Sequence, residues 1–180
     1  MTDKIPSSDV HHQLLQLLND NEARYRVMHH ARAGKCAEVS SLRGTLLGQG
    51  AKALVCKVKG NGVNQHVLAV LSAGQQADLR KIALAFSAKK ASLASPAEVE
   101  TLTRCLFGAI PPFSFHSQLT LIADPFLFSQ FSEIAFNAAS LEKSIILNSE
   151  DYLRIARPRL VSFHHHEDET TPPHSPEPES

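Results

Sequence analysis

Residues 48–71 read GQGAKALVCKVKGNGVNQHVLAVL, and this stretch decides the fold class. Two runs rich in β-branched and aliphatic residues, 52–59 and 65–71, flank the turn sequence Gly-Asn-Gly at 60–62. Asn-Gly is favoured in tight two-residue hairpin turns, because both central positions need a positive φ. The stretch therefore predicts a β-hairpin of two antiparallel strands.

Around the hairpin, helical and extended patterns are interspersed along the chain. The segment 95–98, Ser-Pro-Ala-Glu, is a complete helix start, with a Ser cap, Pro at the first helical position and Glu three residues after the cap. The other predicted elements are helices at 14–18, 36–43, 78–86, 126–131 and 149–155 (the last capped by Ser149) and strands at 25–28, 120–123, 134–136 and 144–147. With no regular βαβ repeat, the predicted class is α+β, a single compact domain with a curved mixed β-sheet flanked by short helices.

Composition bounds the folded part of the chain. With 43% hydrophobic and 20% charged residues among 180, we expect one domain over residues 10–163 after a flexible N-terminus at 1–9. Residues 164–180, HHHEDETTPPHSPEPES, contain four prolines and no apolar side chain, so a disordered acidic, His- and Pro-rich tail is predicted. Neither a membrane-spanning stretch nor an apolar signal core is visible, and we expect a cytoplasmic protein.

Charge is unevenly distributed between body and tail. The chain has 18 basic and 18 acidic residues, but five of the acids lie in 164–180, which has no Lys or Arg. The body is therefore mildly basic, which is compatible with contact to phosphate without requiring it.

The sequence lacks the motifs of common enzyme classes. It has no phosphate loop ending in Lys-Ser or Lys-Thr, no G-x-G-x-x-G and no G-x-S-x-G. The three cysteines, Cys36, Cys56 and Cys105, match no zinc spacing and fit a reduced compartment. We expect neither cofactor nor metal, although the histidines at 164–166 and 174 leave metal binding by the tail open. For Cys56, a buried core thiol is favoured over a nucleophile.

Lys52 is the first of three features that could carry chemistry. Period-two alternation places it on the face of Leu54, Cys56 and Val58, whereas Lys57 faces the other way. On an apolar face its ammonium either reaches an anion such as phosphate or extends into solvent above a packed stem.

The second feature is the stiff loop 108–113, GAIPPF, and the third is the pair His29-His30. Such a loop either forms a pocket wall that presents rigid carbonyls or is a simple connector. One of the histidines is expected at the edge of a pocket, with a structural or solvated role as the alternative.

In order and spacing, His30, residues 48–55 (GQGAKALV), 108–113 (GAIPPF) and 133–138 (EIAFNA) resemble the YbaK/ProX-like aminoacyl-tRNA deacylases. These are trans-acting relatives of the editing domain of prolyl-tRNA synthetases, and the hairpin sequence is most similar to the YeaK-type branch. The resemblance covers about residues 10–163. It implies a compact α+β fold with a curved mixed sheet around a pocket. The implied reaction is hydrolysis of the ester between a wrong amino acid and the terminal adenosine of tRNA.

The resemblance also implies roles for particular residues. Lys52 would hold the terminal phosphate or adenosine, and the Gly108 carbonyl would position a ribose hydroxyl or water, making these two the catalytic pair. His30, Ala109 and Asn137 would contact the substrate, and amides next to Gly108 would help stabilise oxyanion charge. Several family members have His where Asn137 stands, and Asn cannot shuttle protons near neutral pH.

The small apolar residues of ALVC and GAI suggest a pocket for a small amino acid, with Ser favoured over Ala or Cys. The implied partners are mischarged tRNA and an aminoacyl-tRNA synthetase, and neither DNA nor a membrane is expected. Two alternatives stay open: a tRNA- or synthetase-binding module of the same fold without catalysis, and a general esterase, which would lack any nucleophile elbow.

Overall fold

The computed structural model describes residues 7–165, which fold into helices packed against two β-sheets. The helices are α1 (Ser7–Asp20), α2 (Cys36–Arg43), α3 (Leu79–Ala85), α4 (Pro96–Thr103), α5 (Phe126–Gln130) and α6 (Ser149–Ala156). The strands are β1 (Tyr25–His29), β2 (Ala51–Gly60), β3 (Val63–Ser72), β4 (Lys90–Leu93), β5 (Leu119–Ala123), β6 (Glu133–Asn137), β7 (Lys143–Asn148) and β8 (Arg159–Leu160). No helix within this range has the length and apolar character needed to cross a membrane.

The larger sheet has the strand order β4-β2-β3-β5-β8, and the smaller one has the order β1-β7-β6. In the larger sheet β5 runs parallel to both β3 and β8, and the other pairs are antiparallel, as are all pairs of the smaller sheet. The predicted α+β class with a mixed sheet is thus confirmed, although the strands divide into two sheets. The sheets meet at an isolated parallel bridge between Gly50 and Ala135, which brings the start of β2 beside β6.

The predicted hairpin is confirmed as the pair β2–β3, in register from Gly60↔Val63 to Ala51↔Ser72. At its tip Asn61 and Gly62 have φ values of 57° and 83°. Two consecutive positive φ values are typical of the tight hairpin turn that Asn-Gly favours.

The core around the smaller sheet explains why α1 forms. Leu14 and Leu18, one helical turn apart, are fully buried on its inner face. They join an aromatic group in which Phe113 packs edge-on against Phe136 and Tyr152, with ring centroids 6.1 and 5.1 Å apart.

Both ends of the folded body extend further than predicted. α1 begins at Ser7, inside the segment predicted to be flexible, because its apolar stripe packs on the core. His164, predicted as the first tail residue, is only 9% exposed, and its N and Nδ1 lie 2.8 and 2.7 Å from Oδ2 of Asp124. Residues 1–6 and 166–180, with the rest of both predicted segments, lie outside the described residues.

Two short elements and one cap differ from expectation. β4 and β8 were not predicted, since edge strands of four and two residues carry too few positions to show alternation. α6 is capped by Asn148, whose Oδ1 accepts from the Asp151 N–H at 3.0 Å. The predicted cap, Ser149, instead donates to the Phe131 carbonyl at 2.6 Å.

Candidate functional site

A cavity of about 440 Å³ opens where the start of β2 approaches β6. Its other walls come from one face of α2 and from the loop around Gly108. Many of the lining residues are small, namely Gly34, Gly50, Ala51, Ala53, Ala73, Ala94, Gly108 and Ala135. The two sheets can therefore leave space between them, since these positions have little or no side chain to fill it.

The free edge of β2 forms one wall. From Cys56 to Lys59 this strand pairs with both β3 and β4, whereas from Ala51 to Leu54 its described ladder continues with β3 alone. The five consecutive residues from Ala51 to Val55 all line the cavity. The cavity therefore lies at the edge of the strand, where residues from both faces of β2 reach it.

Lys52 lies on this edge and lines the cavity. None of the ion pairs between residues 7 and 165 includes Lys52, so its charge is available to a ligand. Lys57 has different surroundings: its Nζ lies 3.6 Å from Oε2 of Glu98, outside the cavity wall. Cys56 lies on the same face of β2 as Lys52, as the predicted alternation requires, and packs there in the core beside Val58 and Leu54.

Gly108 also lines the cavity, in a backbone conformation that suits glycine. Its φ is +88°, and a Cβ built there would lie 3.2 Å from both the Cα and the carbonyl oxygen of Gly34. The two loops can approach so closely only because both residues lack side chains. The Gly108 carbonyl accepts a hydrogen bond of 2.9 Å from Nδ2 of Asn137, and its second lone pair can take a further donor.

The rest of this loop is fixed from inside the protein. Ala109 is 1% exposed and lies outside the cavity wall, and its N–H donates to the Leu106 carbonyl at 2.9 Å. The hydroxyl of the fully buried Tyr152 donates to the Pro112 carbonyl at 2.6 Å, and burial raises the pKa of this hydroxyl. The Ala109 amide expected to help an oxyanion is therefore already engaged.

Asn137 lines the cavity at the end of β6, is 5% exposed, and is bonded on both ends of its amide. Nδ2 donates to the carbonyls of Ala33 and Gly108, at 3.0 and 2.9 Å. Oδ1 lies 3.1 Å from both Nη2 of Arg43 and Oγ of Ser144. Asn137 thus ties the Gly108 loop to the smaller sheet, and its amide cannot act as a general acid or base near neutral pH.

His30 reaches the site through Ser144, since it does not itself line the cavity. Its Nε2 lies 2.7 Å from Oγ of Ser144, and its Nδ1 lies 2.8 Å from the Ala31 carbonyl. A carbonyl only accepts, so Nδ1 carries a hydrogen and donates it to Ala31, while the Ser144 hydroxyl donates to Oδ1 of Asn137 at 3.1 Å. In this arrangement the histidine holds Ser144, which in turn supports Arg43 and Asn137.

Arg43 is the site residue that sequence reasoning missed. It is 7% exposed, lines the cavity, and donates to Oγ of Ser144 at 2.8 Å through Nε. Burial lowers the pKa of its guanidinium to about 10, so it remains charged at neutral pH. The spacing of Cys36, Val39 and Arg43 was the available signal, because it puts all three on one face of α2 and all three line the cavity.

The structure also bears on the two alternatives of a cysteine nucleophile and a metal site. Cys56 is fully buried, and burial raises the pKa of its thiol to about 11, which removes the thiolate needed by a nucleophile. Over the described residues no group of three or more His, Cys, Asp or Glu is placed to hold a metal ion. His166 and His174, part of the possible tail site, lie outside the described residues.

A mixed-sheet fold with a cavity of small residues is the architecture that the resemblance to the editing domains implies. A family model described as the aminoacyl-tRNA editing domain matches residues 30–155. Relatives in two strains of Escherichia coli, both named multifunctional Ser/Thr-tRNA deacylase ProXp-y, are 62% identical over 163 residues, covering 91% of this chain and 98% of theirs. The chain therefore belongs to the aminoacyl-tRNA editing domain family, and the resemblance found in the sequence is confirmed.

Two solved structures share the fold at low sequence identity. A hypothetical protein of known crystal structure superposes with a TM-score of 0.76 at 14% identity, over 85% of this chain and 99% of its own. A candidate trans-editing enzyme for prolyl-tRNA synthetase superposes with a TM-score of 0.73 at 19% identity, over 87% and 98%. These likenesses support the architecture, and the family assignment rests on the sequence matches.

Proposed function

We propose that this protein hydrolyses the ester bond of tRNA mischarged with a small hydroxyl amino acid, serine first and threonine second. The observation that supports the proposal is that Lys52 and Gly108 both line one cavity made largely of small residues. The E. coli relatives named as Ser/Thr-tRNA deacylases support the choice of amino acid. Ala and Cys, also considered from the sequence, are the next candidates.

Lys52 supplies the positive charge that draws the 3′ end of tRNA into the cavity. Its ammonium binds the terminal phosphate or the adenosine, and no described carboxylate competes for it. A lysine ammonium suits this task because it acts as a point charge with three rotatable donors. The mild positive excess of the body assists the approach of a polyanion.

The Gly108 carbonyl orients the attacking group. One of its lone pairs is occupied by Asn137, and the other accepts a hydrogen from water or from the ribose 2′-hydroxyl. An aminoacyl ester is already activated, so fixing the attacking oxygen near the carbonyl carbon supplies much of the acceleration. Asn137 and, behind it, Ser144 and His30 hold that carbonyl in place.

The cavity volume fits an amino acid together with part of the adenosine. About 440 Å³ is more than a seryl group needs alone and lies within the usual range for small-molecule sites. Small residues such as Ala51, Ala53 and Ala135 leave room in the cavity, and buried apolar residues such as Phe136 also line it. We place this reaction in the cytoplasm, with an aminoacyl-tRNA synthetase as a second partner.

The proposal is tested with a panel of tRNAs charged with Ser, Thr, Ala, Cys and Pro. We expect fastest loss of the aminoacyl group from seryl-tRNA on a non-cognate acceptor, followed by threonyl-tRNA. Tight binding of these tRNAs with no release of amino acid would favour the non-catalytic module instead. Hydrolysis of simple acyl esters at a similar rate would favour a general esterase.

A further inference from the structure

The geometry points to Arg43 as a further catalytic residue, whose guanidinium stabilises the negative charge that develops on the ester carbonyl oxygen. This inference rests on the proposed hydrolysis and deepens it by assigning the oxyanion partner. The ester it acts on is that of the aminoacyl group bound between Lys52 and Gly108.

The orientation of the guanidinium leaves one nitrogen for a ligand. Nε and Nη2 are fixed by Ser144 and Asn137, at 2.8 and 3.1 Å. Nη1 lies beside Gly50, where a built Cβ would be 3.8 Å away, and Gly50 also lines the cavity. Among described buried side-chain atoms, only Oγ1 of Thr45 lacks a hydrogen-bond partner, and no partner is seen for Nη1 within residues 7–165. Nη1 is therefore not sealed in the protein but open to the cavity.

The buried positive charge of Arg43 favours a negatively charged ligand at Nη1. Arg43 is buried, and within residues 7–165 no carboxylate forms an ion pair with it. A charge removed from water is costly without a partner, and neither Ser144 nor Asn137 supplies a negative one. Hydrolysis of an ester creates such a partner, because charge builds up on the carbonyl oxygen in the tetrahedral intermediate.

Several groups close to the Gly108 carbonyl have no free N–H to donate to an oxyanion. Pro111 and Pro112 have no N–H, the Ala109 amide is bonded to Leu106, and both hydrogens of the Asn137 amide go to carbonyls. Lys35 and Lys52 also line the cavity, but Arg43 is the buried charged donor among these three residues. Its guanidinium is linked to the Gly108 carbonyl through the side-chain amide of Asn137.

The step balances without any further reactant than water. The oxygen of a water molecule attacks the ester carbon, the carbonyl electron pair moves to its oxygen beside Arg43, and the water proton passes to solvent. The intermediate then collapses, the bond from carbon to the 3′-oxygen breaks, and that oxygen takes up a proton. Free amino acid and tRNA with a 3′-hydroxyl leave, and Arg43 keeps its proton throughout.

The test compares Arg43→Met with the control Ser144→Ala, which removes the hydrogen bond to Nε but keeps the charge. Loss of one oxyanion donor costs about 10²–10³-fold in kcat. We expect that loss for Arg43→Met on seryl-tRNA with KM changed less than about threefold, and less than about tenfold in kcat for Ser144→Ala. Comparable losses in both variants would reduce Arg43 to a positioning residue and overturn the inference.

A binding measurement separates charge stabilisation from structural support. The probes are an amide-linked seryl-adenosine, which mimics the ground state, and its charged tetrahedral phosphonate counterpart. Arg43→Met should weaken the phosphonate alone, and equal weakening of both probes would refute the assignment. If Arg43→Met fails to fold, the affinities of Arg43→Lys for the two probes are compared instead. Binding of the phosphonate should again weaken more than binding of the amide-linked probe. A wild type that releases no amino acid would refute the proposed function, whereas unchanged kcat in Arg43→Met would refute only the role of Arg43.

Discussion

Replacing Gly108 by Ala should lower both stability and activity, whereas the same change at Gly62 should lower stability alone. Both glycines have a positive φ, +88° and +83°. A Cβ at Gly108 would lie 3.2 Å from backbone atoms of Gly34, while a Cβ at Gly62 would meet nothing within 4 Å. The pair therefore separates the backbone penalty from the effect on the cavity wall.

The size of the effect follows from these contacts. An L-residue in the left-handed region costs about 1–2 kcal/mol, which applies to both variants. Forcing extra volume against fixed backbone adds about 1–3 kcal/mol at Gly108 only. For a chain of this length each kcal/mol lowers Tm by about 2–4 °C, so Gly62→Ala should lose a few degrees and Gly108→Ala about twice as much.

The activity follows the position of the Gly108 carbonyl. Because a misplacement of about 1 Å can cost 10²-fold, a shift of several tenths of an ångström should lower kcat/KM by about tenfold or more. The assay is release of serine from mischarged tRNA, with thermal unfolding followed by circular dichroism on the same samples. Equal activity of the folded Gly108→Ala and Gly62→Ala proteins would refute the role given to this carbonyl.

Three further outcomes are expected. Burial opposes ionisation of Asp124, but the hydrogen bonds that its carboxylate accepts outweigh burial and lower its pKa below the unfolded value. The free energy of unfolding, measured by urea titration, should therefore fall as the pH drops below about 4. The Asp124→Asn variant should show a shallower dependence on pH. Deleting residues 166–180 should leave both Tm and deacylation unchanged. Deleting residues 164–180 also removes the His164 contact to Asp124 and should lower Tm by several degrees. Equal Tm values for the two deletions would contradict placing His164 in the folded body. Activity should survive a chelator and Cys56→Ala, and loss to the chelator with recovery on added zinc would overturn the metal-free account.

Local patterns explain why much of the fold was predictable. The hairpin turn at Asn61-Gly62 and the cap at Ser95 depend on residues within a few positions of one another, so their sequence pattern fixes their conformation. The family resemblance adds Lys52 and Gly108 as site residues. Their placement on one cavity then depends on the two sheets meeting at Gly50 and Ala135.

The parts that could not be predicted depend on contacts between distant segments. Arg43 bonds to residues 94 and 101 positions away, and His30 to Ser144 at a separation of 114. In the sequence Arg43 is an ordinary residue near a helix end, where a positive charge is common. Only the packed structure shows that its guanidinium is buried with no carboxylate paired to it among residues 7–165.

The most direct test of the central claim is the single-turnover rate of serine release by Lys52→Ala, with Lys57→Ala as the matched control. Lys52 faces the cavity, while Lys57 pairs with Glu98 outside it. A contact of this kind is worth about 2–4 kcal/mol in the transition state, so the folded Lys52→Ala protein should be about 30- to 1000-fold slower. Lys57→Ala should keep the wild-type rate. A folded Lys52→Ala protein that releases serine as fast as wild type would contradict the account.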